Sequence, residues 1–265
     1  MKLILVMALG LIVVAIGGLY LNQERMIFPA PSSPVPTPDG TAELAEIATA
    51  DGERLAALWH APEENEPTVL FLHGNATAIA NLRPMIRDLA DAGFGVLAPA
   101  WRGYPGSSGS PSEAGLFVDA EAAFDFADAR GGGPIAIYGQ SLGSGPAVHL
   151  ATVRDAAALV LEAPYDSVLA VARRRMPFLP VGQLLKHPFR SDQRIGAVTE
   201  PILIVHGDND GVIPDAHGRA LHALAPAGAR FVTFPGANHF TINPLSRETV
   251  IAFIREAVAK PGQTR

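Results

Sequence analysis

Short apolar runs recur along this chain, with helix-length segments between many of them: Thr68–Leu72, 95–100, 134–138, 158–162, Pro201–Val205 and Arg230–Phe234. Such runs are continuous rather than alternating, which marks strands buried on both faces. The intervening segments 79–92, 113–129 and 144–153 have helical length. In 113–129, Phe117, Ala120, Phe124 and Ala127 recur at the spacing of one helix face. Strand and helix in alternation predict an α/β class with a mainly parallel central sheet and helices on both faces. Leu44–Ala50 and Glu53–Ala61 flank Asp51-Gly52, the signature of a β-hairpin opening the domain.

Composition narrows the function. With 265 residues, 48% of them hydrophobic, the chain can bury one large core. A net charge of −6 argues against a nucleic-acid partner, which demands a basic face. The absence of cysteine excludes disulfides, a cysteine nucleophile and thiolate zinc sites. No paired metal-ligand spacing appears, and no cofactor is expected.

The run ending at Tyr138 leads into Gly139-Gln140-Ser141-Leu142-Gly143 and then a helix-like stretch. This is G-x-S-x-G in the strand–turn–helix setting that gives it meaning. A serine on so sharp a turn points its Oγ outward, and the flanking glycines let strand and helix approach. Two later strands end in His206-Gly207-Asp208-Asn209-Asp210 and in Pro235-Gly236-Ala237-Asn238-His239. Serine, acid and histidine, each just past a strand end, follow the chain order of an α/β-hydrolase triad. The candidates are Ser141 as nucleophile, His239 as base and Asp210 as acid. Asp208 on the same loop and Glu162 after the sixth strand remain alternatives for the acid. His73 and His206, at strand ends, read as loop-bracing hydrogen bonders.

The N-terminus differs in kind. Leu3 through Leu21 carries no charge, between Lys2 and Glu24-Arg25. A helix of that length spans roughly 28 Å, close to a bilayer's hydrocarbon core. The expectation is a transmembrane anchor over 1–22, with no charge bias to set its orientation. The rival is a signal peptide cleaved near Ala15-Ile16-Gly17, which would make the protein secreted or periplasmic. Five prolines between Pro29 and Pro38 suggest an extended spacer over 23–40. The folded domain then occupies 41–265.

Between 164 and 198 the strand–helix rhythm breaks. Pro177, Pro180 and Pro188, the run Arg173-Arg174-Arg175 and apolar Phe178, Leu179 and Leu184 form an insertion between two strands. Placed over the carboxyl ends of the strands, it reads as a small lid. Its apolar side would cover an acyl substrate, and its arginines would face solvent or anionic headgroups.

These motifs resemble the α/β-hydrolase superfamily over essentially the whole chain. Within it the chain is similar to small membrane-anchored serine hydrolases, through the junction Gln23-Glu24-Arg25-Met26-Ile27-Phe28-Pro29 and through Arg102-Gly103-Tyr104-Pro105-Gly106-Ser107-Ser108-Gly109. It departs from that pattern at Pro105, commonly glycine, and at Ala100-Trp101, usually Asp-Tyr. The resemblance implies hydrolysis of a small ester or thioester through an acyl-enzyme. The oxyanion hole would then be the backbone N–H of Leu142 and that of Asn75 in the His73-Gly74-Asn75 loop. A serine peptidase of the same fold and a non-catalytic membrane module are the alternatives. No sequence feature fixes an oligomeric state.

Overall fold

The computed structural model describes residues 1–35, 40–131 and 133–259. Its strands are β1 (Glu43–Ala48), β2 (Arg54–His60), β3 (Thr68–Leu72), β4 (Gly95–Pro99), β5 (Ile135–Gln140), β6 (Ala158–Glu162), β7 (Ile202–Gly207) and β8 (Arg230–Phe234). They form one sheet in the order β1-β2-β4-β3-β5-β6-β7-β8. The hairpin β1–β2 joins β4 antiparallel, and every pair from β4 to β8 is parallel. The expected class therefore stands. β5 runs on to Gln140, so the strand carries the chain right up to Ser141.

The helices are α1 (Lys2–Ile27), α2 (Arg83–Ala90), α3 (Glu113–Gly131), α4 (Ser144–Leu150), α5 (Val168–Arg175), α6 (Val181–Leu184), α7 (Asp215–Leu224) and α8 (Ile242–Ala259). Their faces follow from the handedness of the crossovers. β3 to β4 moves one way along the sheet, while β4 to β5, β5 to β6 and β7 to β8 move the other way. Right-handed crossovers in opposite directions put α2 on one face and α3, α4 and α7 on the other. α8 joins α2 through an Arg247–Asp88 ion pair and a hydrogen bond from Arg255 to the Ala92 carbonyl. Covered on both sides, Leu70, Leu97, Ile137, Leu161 and Ile204 are fully buried. Each contributes about 1.5–3 kcal/mol of hydrophobic stabilisation. The sheet's direction of winding reverses between β3 and β5, and the loops at their carboxyl ends flank the crevice where open α/β sheets bind ligands.

A charge cluster around the buried Arg102 and Asp119 ties the hairpin to this frame through the exposed Asp51. Arg102, just after β4, donates Nε to Asp119 Oδ1 at 2.9 Å and Nη1 to Asp51 Oδ2 at 2.7 Å. Asp119 is fully buried on α3, a position that apolar periodicity alone would not assign. Its backbone-directed oxygen also accepts the Arg102 N–H at 3.0 Å. Hydrogen bonds from Arg102, and then Thr49, hold the Asp51 carboxyl down at about 2.

The N-terminal segment departs from expectation. A transmembrane helix is not found: among the described residues no helix is long and apolar enough to cross a membrane. α1 instead runs on through the polar residues Asn22, Gln23, Glu24 and Arg25 to Ile27, and that end is fastened to the domain. Gln23 donates to the Leu184 carbonyl at 3.2 Å and accepts the Lys186 N–H at 2.7 Å. Lys186 also pairs with Glu24 at 2.8 Å. Phe28 is buried against His187 and Phe189. Farther out, Ile4, Met7, Leu11, Val13 and Val14 face outward. Of the proline-rich stretch, residues 36–39 lie outside the described residues.

The insertion over 164–198 folds as α5 and α6 followed by two short 3₁₀ turns, Ser191–Gln193 and Ile195–Ala197. Ser167 caps α5 by accepting the Ala170 N–H at 3.0 Å. Arg173, Arg174 and Arg175 are all exposed, and Arg175 donates to the Val212 carbonyl at 2.7 Å.

Candidate active site

Ser141 sits on a strained turn between two glycines. Its φ is +50°, a left-handed conformation that costs a residue with a Cβ about 1–2 kcal/mol. The turn is held by its neighbours: the Ser144 hydroxyl donates to the Ser141 carbonyl at 2.6 Å, and Tyr165 Oη donates to the Leu142 carbonyl at 2.9 Å. A Cβ at Gly143 would lie 2.0 Å from the Leu72 carbonyl oxygen, and one at Gly139 would lie 2.5 Å from Ala147 Cβ. Glycine at both positions is thus a condition for β5, the elbow and α4 to meet β3.

His239 enters from the loop between β8 and α8. That loop is shaped by Asn238, whose Oδ1 accepts the N–H groups of Phe240 at 2.9 Å and Thr241 at 3.0 Å. His239 Nε2 lies 2.9 Å from Ser141 Oγ, and Nδ1 lies 2.7 Å from Asp210 Oδ2. With Nδ1–H donating to Asp210, Nε2 is free to accept the serine proton.

Asp210 is gripped on both oxygens. Its Oδ1 accepts the N–H groups of Val212 and Ile213, each at 2.8 Å. Its Oδ2 meets His239, with His206 Nε2 at 3.4 Å behind it. Burial pushes this carboxyl up, but hydrogen bonds from His206 and His239 outweigh it and hold the pKa well below the usual carboxylate range. It is an anion held in place beside an imidazole. His206 Nε2 also donates to the Ile213 carbonyl at 2.8 Å, so it braces this loop.

The other two acids occupy different places. Asp208 Oδ1 accepts the Gly236 N–H at 2.7 Å, stitching the β7 loop to the loop that carries His239. Glu162 is fully buried at the end of β6, where it accepts from Tyr138 Oη, from Gln140 Nε2 at 2.7 Å and from Asn243 Nδ2 at 3.1 Å. Among the described residues neither acid hydrogen-bonds His239. Burial pushes the Glu162 carboxyl up against the pull of those donors.

The β3 loop completes the surroundings. A Cβ at Gly74 would fall 3.3 Å from Ser141 Cβ, so Gly74 stands beside the side chain of the candidate nucleophile. His73 Nδ1 donates to the Gly74 carbonyl at 2.7 Å, and burial lowers its pKa to about 4. Trp101 Nε1 donates to the His73 carbonyl at 3.0 Å, giving the unusual Ala100-Trp101 pair a role in bracing this loop. Asn75 itself is exposed, with Nδ2 3.5 Å from the Ile27 carbonyl. The Ala76 N–H donates to the Pro29 carbonyl at 3.1 Å. The Ile-Phe-Pro junction thus lies against the β3 loop, a contact signalled in sequence only by the motif itself. Among the described residues no cluster of three or more His, Asp or Glu side chains could hold a metal ion.

Known proteins agree with this architecture. Residues 67–188 match the family model for the alpha/beta hydrolase fold. The uncharacterized protein Rv2307c of Mycobacterium tuberculosis is 34% identical over 230 residues, covering 83% of this chain and 82% of that protein. The uncharacterized Escherichia coli protein YfhR is 28% identical over 263 residues, covering 92% and 89%. Among solved structures, the Pyrococcus furiosus esterase Pf2001 superposes with a TM-score of 0.70 at 20% identity, covering 86% of this chain and 98% of that one. With the elbow, the sheet order and the parallel core in place, the chain belongs to the α/β-hydrolase superfamily.

Proposed function

We propose that this protein is a serine hydrolase that cleaves a small carboxylic ester or thioester through an acyl-enzyme. The observation that carries the reading is the relay from Ser141 Oγ through His239 to Asp210, at 2.9 and 2.7 Å, on a left-handed elbow. Ser141 Oγ attacks the carbonyl carbon while its proton passes to His239 Nε2. Asp210, already ionised, holds the imidazole in the right tautomer and stabilises the imidazolium. The negative charge on the former carbonyl oxygen is met by the backbone N–H groups of Leu142 and Asn75. The intermediate collapses, and the leaving alcohol or thiol takes the proton from His239. Water then enters by the same route, giving its proton to His239 and releasing the acid with Ser141 restored. The test is a fluorophosphonate probe together with p-nitrophenyl ester turnover. Wild type is labelled and active, whereas Ser141→Ala loses the label and about 10⁴–10⁶ in kcat. Labelling that persists in Ser141→Ala defeats the assignment.

For localisation we propose that the outer part of α1 holds the protein at a membrane. The outward-facing Ile4, Met7, Leu11, Val13 and Val14 support this, since each buried CH₂ gains about 0.8 kcal/mol. The full chain should stay with membranes through high salt and leave with detergent. Release by salt alone, or a mature N-terminus near Gly18, overturns it, the latter in favour of a secreted or periplasmic enzyme.

A further inference from the structure

The junction Ile27-Phe28-Pro29 takes no part in the proton relay, yet it lies against the loop that carries Asn75. His73 and Gly74 are buried, and Asn75 and Ala76 beyond them are exposed. Ala76 has a φ of +53°, a left-handed conformation that disfavours a residue with a Cβ by roughly five- to thirtyfold. Two contacts meet it there. The Ala76 N–H donates to the Pro29 carbonyl at 3.1 Å, and the Ile27 carbonyl stands 3.5 Å from Asn75 Nδ2. The Pro29 carbonyl is itself fixed from behind. The Phe28 N–H donates back to the Glu24 carbonyl at 2.8 Å, closing the last turn of α1. The Phe28 ring is buried, its centroid 5.2 Å from that of His187 and 6.0 Å from that of Phe189. Pro29 cannot continue the helix, and its ring fixes φ, so little freedom is left at the point of contact.

We propose that Phe28 and Pro29 are positioning residues for the oxyanion hole, so that turnover depends on how the end of α1 is seated. The proposal rests on the hydrolase reading above. Pro29 holds the peptide between Asn75 and Ala76 by its N–H, which keeps Ala76 left-handed and the Asn75 N–H in place for the oxyanion. Without that hold Ala76 relaxes toward an ordinary conformation and carries the loop with it. The loss falls on the transition state, because the charge that the Asn75 N–H meets develops only there. The rate of the chemical steps therefore drops while substrate binding does not.

The test uses the full chain and p-nitrophenyl acetate, with end-point fluorophosphonate labelling to count competent sites. Phe28→Ala should lower kcat per labelled site about tenfold and leave KM within about threefold. Ala76→Gly supplies a residue that takes the left-handed conformation freely. Added to Phe28→Ala it should recover at least about threefold in kcat, and added to the wild type it should bring no gain. A fold merely weakened by the loss of a buried ring would show no such rescue. Hydrogen exchange tests the contact without any variant: the wild-type Ala76 amide should exchange at least about tenfold slower than an open loop amide, although its residue is exposed. Free exchange at Ala76 overturns the proposal. So does a kcat in Phe28→Ala within about threefold of wild type, a loss that appears in KM or in the label count instead, or a loss that Ala76→Gly does not recover. A wild type that hydrolyses no ester and takes no fluorophosphonate label defeats the hydrolase reading itself, and this proposal with it.

Discussion

At the scale of the residue, the three carboxylates near the site carry different work. Asp210 has both oxygens committed, one to two backbone N–H groups and one to His239. Asp210→Asn presents an amide where an anion is needed and favours the wrong imidazole tautomer. It should cost about 10³–10⁴ in kcat. Asp208→Asn keeps the oxygen that accepts the Gly236 N–H and should cost less than tenfold. Glu162→Gln disturbs a buried network and should show itself as about 1–3 kcal/mol of lost stability, with kcat changed far less than in Asp210→Asn. Steady-state kinetics and denaturation of the three variants separate the roles; a larger kcat loss in either of the other two would reassign the acid. Sequence order placed an acid on the β7 loop, but Asp208 and Asp210 are two residues apart. The choice between them depends on which way each side chain points. That is set by the Asx-type turn from Asp210 to Val212 and Ile213, a detail no spacing rule contains.

At the scale of the element, the elbow and the lid differ in how they resist change. β5, the elbow and α4 meet with no spare space. Gly143→Ala should destabilise the fold by about 3 kcal/mol, because the Cβ would sit 2.0 Å from the Leu72 carbonyl and backbone must move. In a chain of this size that lowers Tm by roughly 6–12 °C. Gly211→Ala, where a Cβ meets nothing within 4 Å, should change Tm by no more than about 2 °C. The latch between α1 and the lid is weaker and more selective. Gln23 is buried and accepts the Lys186 N–H, so Gln23→Ala should speed hydrogen exchange of that amide at least about tenfold. Glu24→Ala removes an exposed ion pair and should leave that amide's exchange within about threefold. Equal effects would mean that the charge, and not the buried amide, fastens the helix. The strands and long helices were legible because burial on both faces writes an unbroken apolar run. α5 and α6 were not, because proline, exposed arginine and short length blur any period there. Their order comes from contacts with α1 and from the Ser167 cap.

At the scale of the whole molecule, the class, the parallel core and the flanking helices follow from the pattern of strands and helices, whereas the seating of the N-terminus does not. Leu3–Leu21 reads as an independent span, yet its continuation through Gln23 and Phe28 docks beside the β3 loop, and local hydropathy carries no record of a partner that lies far along the chain. A second whole-molecule property, acid stability, follows from His73. Its ring is fully buried, with Nδ1 bonded to the Gly74 carbonyl and Nε2 unpartnered between Trp101 and Tyr104. The folded protein keeps it neutral down to about pH 4, while the unfolded chain protonates it near 6.5. Its contribution is therefore fully present above pH 6.5 and is lost as pH falls toward 4. The difference of about 2.5 pH units corresponds to roughly 3 kcal/mol. The depressed Asp210 carboxyl acts in the same sense only at lower pH, below the ordinary carboxylate range. Glu162, raised by burial, works the opposite way. The effect of His73 is isolated by comparing slopes. Between pH 7 and pH 4, wild type should lose about 3 kcal/mol more unfolding free energy than His73→Phe, which keeps an aromatic ring against Trp101 but has nothing to protonate. Equal losses in the two proteins would show that the folded state protonates this histidine as readily as the unfolded chain does.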